Sequence, residues 1–307
     1  MKACKFFAVN MILISIALQG FAKTSSGGRR IDVRTSLFAY DRSRPFELKE
    51  LSKQERQGVT ISDVEYAPYT AKRGRIKAFL VRPAGNGPFA GVLFFHWLGR
   101  PNGDRTQFVE EAVSLARQGT VSLLIQGYFP WQVDPVDGPT DRQLIVDETI
   151  EARRALDLLT SQTTVDRTRV GYVGHDYGAM YGSLLAGVEK RVKTYVLIAG
   201  IGSFTDWSLE YWLKAKPDDF KKQYGEAMLA VEPLTTIKRA APAPLLFQFA
   251  NMDTYISRHA AMAFYSAASR PKQIKWYHTT HEMNIEEARI DRRAWLTQRL
   301  RLVRNKT

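Results

Sequence analysis

The sequence predicts an α/β protein in which a mostly parallel sheet carries helices on both faces. Two observations support this class: short, nearly continuous apolar runs recur along the chain, and longer segments with helical apolar spacing separate them. Continuous apolar runs are typical of strands covered on both faces, and their alternation with helices is typical of parallel sheets. The predicted strands of this kind are 91–95, 121–125, 170–173, 194–198, 245–249 and 273–277. The predicted helices are 106–117, 141–159, 179–188, 257–268 and 285–303.

Two earlier segments, 59–66 and 75–82, alternate apolar with polar residues instead. A period of two on either side of a glycine-containing turn predicts an antiparallel hairpin with one face in water. The segment 204–233 interrupts the alternation of strands and helices and is rich in aromatic residues. It is compatible with a small lid over the carboxyl ends of the sheet, and equally with a packed helical excursion.

The first 22 residues have the pattern of a secretory signal peptide. A basic start is followed by an apolar run, 6–18, and then by the small residues Gly20 and Ala22. The run is shorter than the stretch of about 20 apolar residues that spans a bilayer. We therefore expect an exported protein, periplasmic or secreted, whose processed chain has no integral membrane segment and forms a single domain, 23–307.

Composition and charge narrow the class of partner. The chain has 44 lysines and arginines against 31 aspartates and glutamates, a formal net charge of +13. The excess is scattered and is not interleaved with aromatic residues, so it favours a solvated surface over a nucleic-acid site. We expect a small-molecule substrate and no nucleic-acid partner, while the oligomeric state stays open. The only cysteine, Cys4, lies in the predicted signal peptide, so the processed chain would have no disulfide and no thiolate.

The turn between the predicted strand 170–173 and the helix after it is the first candidate for chemistry. It reads Gly-His-Asp-Tyr-Gly, so Asp176 has a glycine two residues to either side. Such glycines permit a strained, tight turn that lifts the central side chain above the sheet. The sequence therefore predicts that Asp176 stands at the position of a nucleophile.

An acid and a histidine follow later strands in the order that such a nucleophile requires. Asp253 follows the strand 245–249, and His281 follows the strand 273–277. Taken alone, Asp253 could be a helix N-cap and His281 a surface residue, with His278 as its competitor. Because all three placements coincide, we predict a catalytic set of Asp176, Asp253 and His281. A metal site at the two histidines lacks a third ligand and the usual spacing, so we predict no metal and no cofactor.

The same turn predicts where an oxyanion would be bound. One donor is the N–H after the nucleophile, that of Tyr177, and the other comes from the loop after the strand 91–95, where Trp97 or Leu98 would supply it. The residues predicted to line the substrate pocket are His96, His175, Tyr128, Trp207 and Tyr211.

These features resemble two branches of one superfamily. The frame from residue 59 through the helix after His281 resembles the dienelactone-hydrolase-related branch of the α/β-hydrolase superfamily. The turn 173–178 resembles instead the elbow of epoxide hydrolases and of haloalkane or haloacetate dehalogenases, whose nucleophile is aspartate. That resemblance implies that Asp176 is the nucleophile, His281 the base that activates water and Asp253 the orienting acid. The chain departs from dienelactone hydrolases in having no cysteine at the elbow and in having Trp97 where a glycine is usual.

An aspartate nucleophile changes which reactions are favourable. Attack of a carboxylate on an ester carbonyl would form a reactive anhydride, whereas attack on a saturated carbon forms an ordinary ester that activated water can open. The first hypothesis is therefore a hydrolase of a small alkyl electrophile, an epoxide or a halide, that acts through an alkyl-enzyme ester. The second is an ester or lactone hydrolase in which Asp176 or His281 is a general base for water. The third is a secreted binding module that has lost catalysis.

Overall fold

Nine strands form one sheet in the computed structural model, which describes residues 36–70, 73–99 and 103–302. The predicted signal peptide, 1–22, lies outside the described residues. The strands are β1 (Lys49–Arg56), β2 (Val59–Tyr66), β3 (Ile76–Pro83), β4 (Phe89–Phe95), β5 (Thr120–Ile125), β6 (Val165–His175), β7 (Val192–Ile198), β8 (Leu245–Ala250) and β9 (Lys272–Tyr277).

The order across the sheet is β1-β2-β3-β5-β4-β6-β7-β8-β9. The six strands from β5 to β9 in this order pair in parallel. The remaining pairs are antiparallel: β1 pairs with β2, β2 with β3, and β3 with β5. The predicted fold class, a mostly parallel sheet with an antiparallel N-terminal hairpin, is confirmed. The sequence analysis missed β1, which extends the hairpin by one strand. All of its residues except Leu51 are polar and almost all are exposed, so the alternation that marks a half-buried strand is absent.

Helices cover both faces of the sheet, and neighbouring residues of β6 show this directly. A Cβ added at Gly171 would meet Leu296 and Leu300, whereas the ring of the next residue, Tyr172, packs against Gly182. Because successive side chains of a strand point to opposite faces, the helices at 286–300 and 177–188 lie on different sides. The helices are α1 (Val109–Ala116), α2 (Gly138–Ser161), α3 (Tyr177–Val188), α4 (Phe204–Tyr211), α5 (Asp218–Met228), α6 (Pro233–Thr236), α7 (Arg258–Ala267) and α8 (Glu286–Leu300).

Strands β4, β5 and β8 are buried along essentially their whole length, which explains their unbroken apolar sequences. None of the helices in the described part of the chain combines the length and the apolar character that crossing a bilayer requires.

Candidate active site

Asp176 occupies a strained turn between the end of β6 and the start of α3. Its backbone has φ 55° and ψ −117°, a conformation that residues other than glycine rarely adopt. An added Cβ at Gly174 would collide with the carbonyl oxygen of Gly178, and one at Gly178 would collide with that of Phe95. The two glycines are therefore required by close backbone contacts, and the turn they permit presents Asp176 at the carboxyl end of the sheet.

Three side chains from three strand ends meet at this turn. His281 Nδ1 and Asp253 Oδ2 are 2.9 Å apart, which is a hydrogen bond, and His281 Nε2 lies 3.8 Å from Asp176 Oδ1. Each of these side chains is 5% exposed or less. The structure thus brings together the three residues that the sequence placed in one catalytic set, while the competitor His278 is exposed.

Asp253 is itself held in a fixed orientation. Its second carboxylate oxygen, Oδ1, accepts the N–H groups of Tyr255 and Ile256, both at 2.9 Å. The N-cap of the following helix α7 is Ser257, whose Oγ accepts the N–H of Ala260. Asp253 is therefore not the helix cap that its position allowed, and its carboxylate is directed at the imidazole.

The two oxygens of Asp176 have different surroundings. Oδ2 accepts the N–H of Leu98 at 3.1 Å, and the N–H of Tyr177 also favours the charged carboxylate. The N–H of Trp97 donates instead to Gln107 Oε1 at 2.9 Å, so of the two donors expected after β4 only Leu98 is directed at Asp176. The other oxygen, Oδ1, is buried and has no hydrogen-bond partner within the described residues.

Burial and mutual charge set the protonation of this group. Burial raises the pKa of Asp176 to about 6, against the opposing influence of His281 and the two amides. Burial alone would lower the pKa of His281, but the hydrogen bond to Asp253 and the charge of Asp176 outweigh it, so the pKa is raised. The raised pKa of Asp176 therefore brings this carboxylate closer to neutral pH, where general acid and base catalysis operates.

A cavity of about 240 Å³ opens beside Asp176 and His281. It contains the two predicted pocket residues Trp207 and Tyr211 and two that the sequence analysis missed, Trp212 and Tyr255. The segment 204–233 thus contributes part of the wall, through α4 and the residue after it. The lining is formed by Trp97, Leu98, Gly99, Asp176, Trp207, Tyr211, Trp212, Tyr255 and His281.

Three residues predicted to line the pocket lie elsewhere. His96 is buried; its Nε2 accepts the N–H of Gly127 at 2.9 Å, its Nδ1 donates to the carbonyl of Trp97 at 2.8 Å, and burial lowers its pKa to about 4. Tyr128 packs under Arg73, whose guanidinium carbon is 4.5 Å from the ring centroid, and lines a separate cavity. Both side chains therefore point away from Asp176. A residue that follows a strand is near the site, but the path of the loop backbone decides where its side chain points.

His175, the third of these residues, lies behind the site. Its Nδ1 accepts Gln107 Nε2 at 2.6 Å, and its Nε2 donates to the carbonyl oxygen of His281 at 2.9 Å. Burial, followed by the charge of His281, lowers the pKa of His175 well below its ordinary value. The ring stacks on Trp97 with 5.3 Å between centroids and an angle of 4°. His175 is therefore a neutral support for the residues that line the cavity.

Comparison with known proteins supports the fold. No protein-family model matches the sequence, and no curated protein matches it. Among solved structures, an acetyl xylan esterase from Paenibacillus sp. R4 has a TM-score of 0.70 at 17% identity, covering 87% of this chain and 92% of that one. Acetyl xylan esterase 1 from Thermoanaerobacterium sp. JW/SL YS485 has a TM-score of 0.65 at 17% identity, covering 86% and 92%. An S-formylglutathione hydrolase from Agrobacterium tumefaciens has a TM-score of 0.61 at 14% identity, covering 82% and 99%.

The chain therefore has the α/β-hydrolase fold, as its sequence predicted. The resemblance to the dienelactone-hydrolase branch is not confirmed, because none of these three structures is named as a dienelactone hydrolase.

Proposed function

We propose that this protein is a hydrolase in which Asp176, His281 and Asp253 act together on a small substrate in the aromatic cavity. The observation that carries the proposal is the position of the Asp176 carboxylate. One oxygen accepts a backbone N–H. The other has no hydrogen-bond partner in the part of the chain that the structure describes, and it lies 3.8 Å from an imidazole nitrogen of His281, whose ring is hydrogen-bonded to a second acid. A buried carboxylate oxygen without a partner is costly, which favours a functional role over a structural one.

The solved structures favour an ester as the bond that is broken, since they are of two acetyl xylan esterases and of an S-formylglutathione hydrolase. They support this alternative better than the alkyl-electrophile hypothesis. In the ester reaction His281 Nε2 would take a proton from water while the water oxygen attacks the acyl carbon. The bond between the acyl carbon and the alcohol oxygen would then break, and the imidazolium of His281 would return the proton to the leaving alcohol. Asp253 would stabilise the imidazolium, and Asp176 would hold the water or share its proton.

The detailed geometry favours an alkyl electrophile as a second candidate. The N–H of Leu98 already donates to Asp176 Oδ2. The carbonyl oxygen of an ester could accept this N–H only by displacing Oδ2 from it. Attack by Oδ1 on a saturated carbon needs no displacement. The new O–C bond forms as the bond to halide or epoxide oxygen breaks, and the resulting ester keeps its carbonyl oxygen at the amide. Water activated by His281 then attacks the Asp176 carbonyl carbon, with the developing oxyanion at the same donor. The bond from this carbon to Oδ1 breaks, His281 returns the proton to the leaving alcohol, and the carboxylate is restored with one oxygen from water.

The two routes share one pH dependence with a common sign. Asp176 must be ionised, and its pKa of about 6 places the rise of activity near that pH. His281 must be neutral to accept a proton, and its raised pKa delays this form to higher pH. Activity should therefore rise with pH as Asp176 ionises and His281 loses its proton.

We also propose that the segment 204–233 acts as the lid that keeps bulk water from the cavity.

Single turnover in heavy-oxygen water, followed by mass spectrometry of the peptide that contains Asp176, separates the two candidates. The alkyl route places one labelled oxygen in Asp176, whereas general-base hydrolysis of an ester labels only the product. Substrates would be a panel of small aryl esters, lactones, epoxides and alkyl halides.

Two variants serve as controls for this experiment. Asp176→Asn should reduce kcat by about 10³-fold or more in either route, and His281→Gln should accumulate an alkyl-enzyme adduct only in the alkyl route. Full activity of Asp176→Asn would overturn the proposal. Tight retention of a ligand without product, unchanged in His281→Gln, would instead support the binding-module hypothesis.

A further inference from the structure

A chain of hydrogen bonds runs behind the site through Gln107 and His175. The N–H of Trp97 donates to Gln107 Oε1 at 2.9 Å, Gln107 Nε2 donates to His175 Nδ1 at 2.6 Å, and His175 Nε2 donates to the carbonyl oxygen of His281 at 2.9 Å. Neither Gln107 nor His175 belongs to the lining of the cavity beside Asp176. This chain of bonds was not anticipated from the sequence, which placed His175 in the pocket and gave no role to Gln107.

The directions of these bonds are mutually determined. A backbone N–H requires an acceptor, so Gln107 presents Oε1 to Trp97 and its amide nitrogen to His175. His175 must then accept at Nδ1 and carry its proton at Nε2, which is the tautomer that can donate to a carbonyl. A second proton on His175 would oppose the Gln107 amide and add a charge 5.6 Å, between ring centroids, from His281. A single arrangement therefore satisfies every member.

The chain connects three separate segments that carry the parts of the site. Trp97 immediately precedes Leu98, whose N–H binds Asp176, and His175 immediately precedes Asp176 itself. At the other end the bonded carbonyl belongs to His281, the residue whose ring faces Asp176. Gln107 lies outside these three segments, in the turn before α1. Its two hydrogen bonds join the segment of Trp97 to the segment of His175.

We propose that Gln107 and His175 are positioning residues that hold the Leu98 amide and the His281 ring in the arrangement Asp176 needs. This inference rests on the proposed hydrolase function. Reaction rates depend steeply on such placement, because a displacement of about 1 Å can cost about 100-fold in rate. Side chains that hold reacting groups from behind contribute through orientation rather than through contact with the substrate.

The test compares Gln107→Met and His175→Phe with the wild-type protein. The first keeps the length of the side chain and removes both bonds, and the second keeps an aromatic ring against Trp97 and removes its hydrogen bonds. Gln143→Met is the matched control, because Gln143 is an exposed residue of α2 whose side-chain amide donates to Asp147 of the same helix. His175→Gln is the conservative variant, since its amide can still donate to the carbonyl of His281.

Two readouts are needed, and one of them does not depend on turnover. We expect kcat to fall about 10- to 100-fold in Gln107→Met and His175→Phe, with a smaller change in KM and partial recovery in His175→Gln. We also expect the titration of His281, followed by nitrogen-15 NMR, to move to lower pH in both variants as its ring leaves Asp253 and Asp176. Gln143→Met should change neither quantity.

A folded Gln107→Met or His175→Phe protein with wild-type kcat and an unmoved His281 titration would overturn the inference. So would a loss of stability alone, which a merely structural role predicts. If one variant does not fold, the other is judged by the same criteria. Failure of the hydrolase proposal would appear separately, as full activity of Asp176→Asn, and would leave the NMR result intact.

Discussion

Two buried charged clusters of this protein differ in how completely their hydrogen bonds are satisfied. In the core, Arg292 of α8 donates to both carboxylate oxygens of Glu111 of α1 at 2.7 to 3.1 Å, and its remaining nitrogen donates to Gln248. In the site, Asp176 Oδ2 accepts the N–H of Leu98, and the N–H of Tyr177 also favours the charged carboxylate, but Oδ1 has no partner within the described residues. Glu111 and Asp176 are similarly buried, at 5% and 3% side-chain exposure.

This difference is the one expected between a structural carboxylate and a reactive one. Both carboxylates lose their hydration on folding, but only Glu111 regains an equivalent set of partners. Asp176 keeps an oxygen free, and the protein bears the cost in a raised pKa. A buried carboxylate oxygen that accepts no protein hydrogen bond and lies beside a cavity is the arrangement expected where a reacting atom must approach.

The largest effect on stability should follow from breaking the satisfied cluster. Glu111→Gln leaves the buried charge of Arg292 without its counter-charge, and we expect the free energy of unfolding to fall by about 3 to 5 kcal/mol. The neighbouring Glu110 is a matched control, because its ion pair with Arg56 is exposed and its loss should lower the free energy of unfolding far less. Urea unfolding of both variants measures the difference. Equal losses would show that burial does not distinguish the two pairs.

Neutralising Asp176, the carboxylate with an unpartnered oxygen among the described residues, should raise the free energy of unfolding instead of lowering it. The pKa of Asp176 is 3.8 ordinarily and about 6 in the folded protein, so ionisation there lowers the free energy of unfolding as pH rises through this window. Asp176→Asn cannot ionise and should be more stable than wild type at pH 8, by on the order of 3 kcal/mol, with the gain vanishing below about pH 4. Thermal unfolding across this pH range tests it. A variant less stable than wild type at pH 8 would contradict the interpretation.

The smallest effect should come from the aromatic wall of the cavity. Trp207→Leu removes part of the apolar surface that a bound substrate would contact, and we expect KM to rise about 10-fold, which is about 1.4 kcal/mol, with a smaller change in kcat. Phe220→Leu is the control, because Phe220 lies in the same helical excursion but does not line the cavity. Steady-state kinetics with a substrate from the panel measures both. The same rise in both variants would mean that the segment acts through its packing alone.

The features that could be predicted from the sequence are those that local patterns encode. Unbroken apolar runs located the central strands, and the glycines around Asp176 located the elbow, because both depend on neighbouring residues. The edge strand β1 has polar residues on both faces, so its pairing with β2 left no periodic pattern. Export and the division at residue 22 stay predictions.

The members of the site that were missed are brought in by tertiary contacts. Tyr255 reaches the cavity from the loop after β8, and Gln107 reaches His175 across 68 positions of sequence. His96 and Tyr128 were placed in the pocket because they follow strands that end near it. Which side of a loop a side chain leaves from depends on the backbone path, and composition does not encode this path.

In the turn around Asp176, the contacts that fix the backbone do not involve the side chain proposed to react. The backbone of Asp176 is held by its N–H bond to the carbonyl of Ile198 and by the N–H groups of Ala179 and Met180 on its own carbonyl. Close contacts at the flanking glycines complete the turn, and none of these interactions uses the carboxylate. Exchange of this one side chain for a hydroxyl or a thiol would leave the turn standing beside the same imidazole. The conformation of the turn and the chemistry available at position 176 therefore depend on different atoms, so the side chain can be replaced without rebuilding the turn.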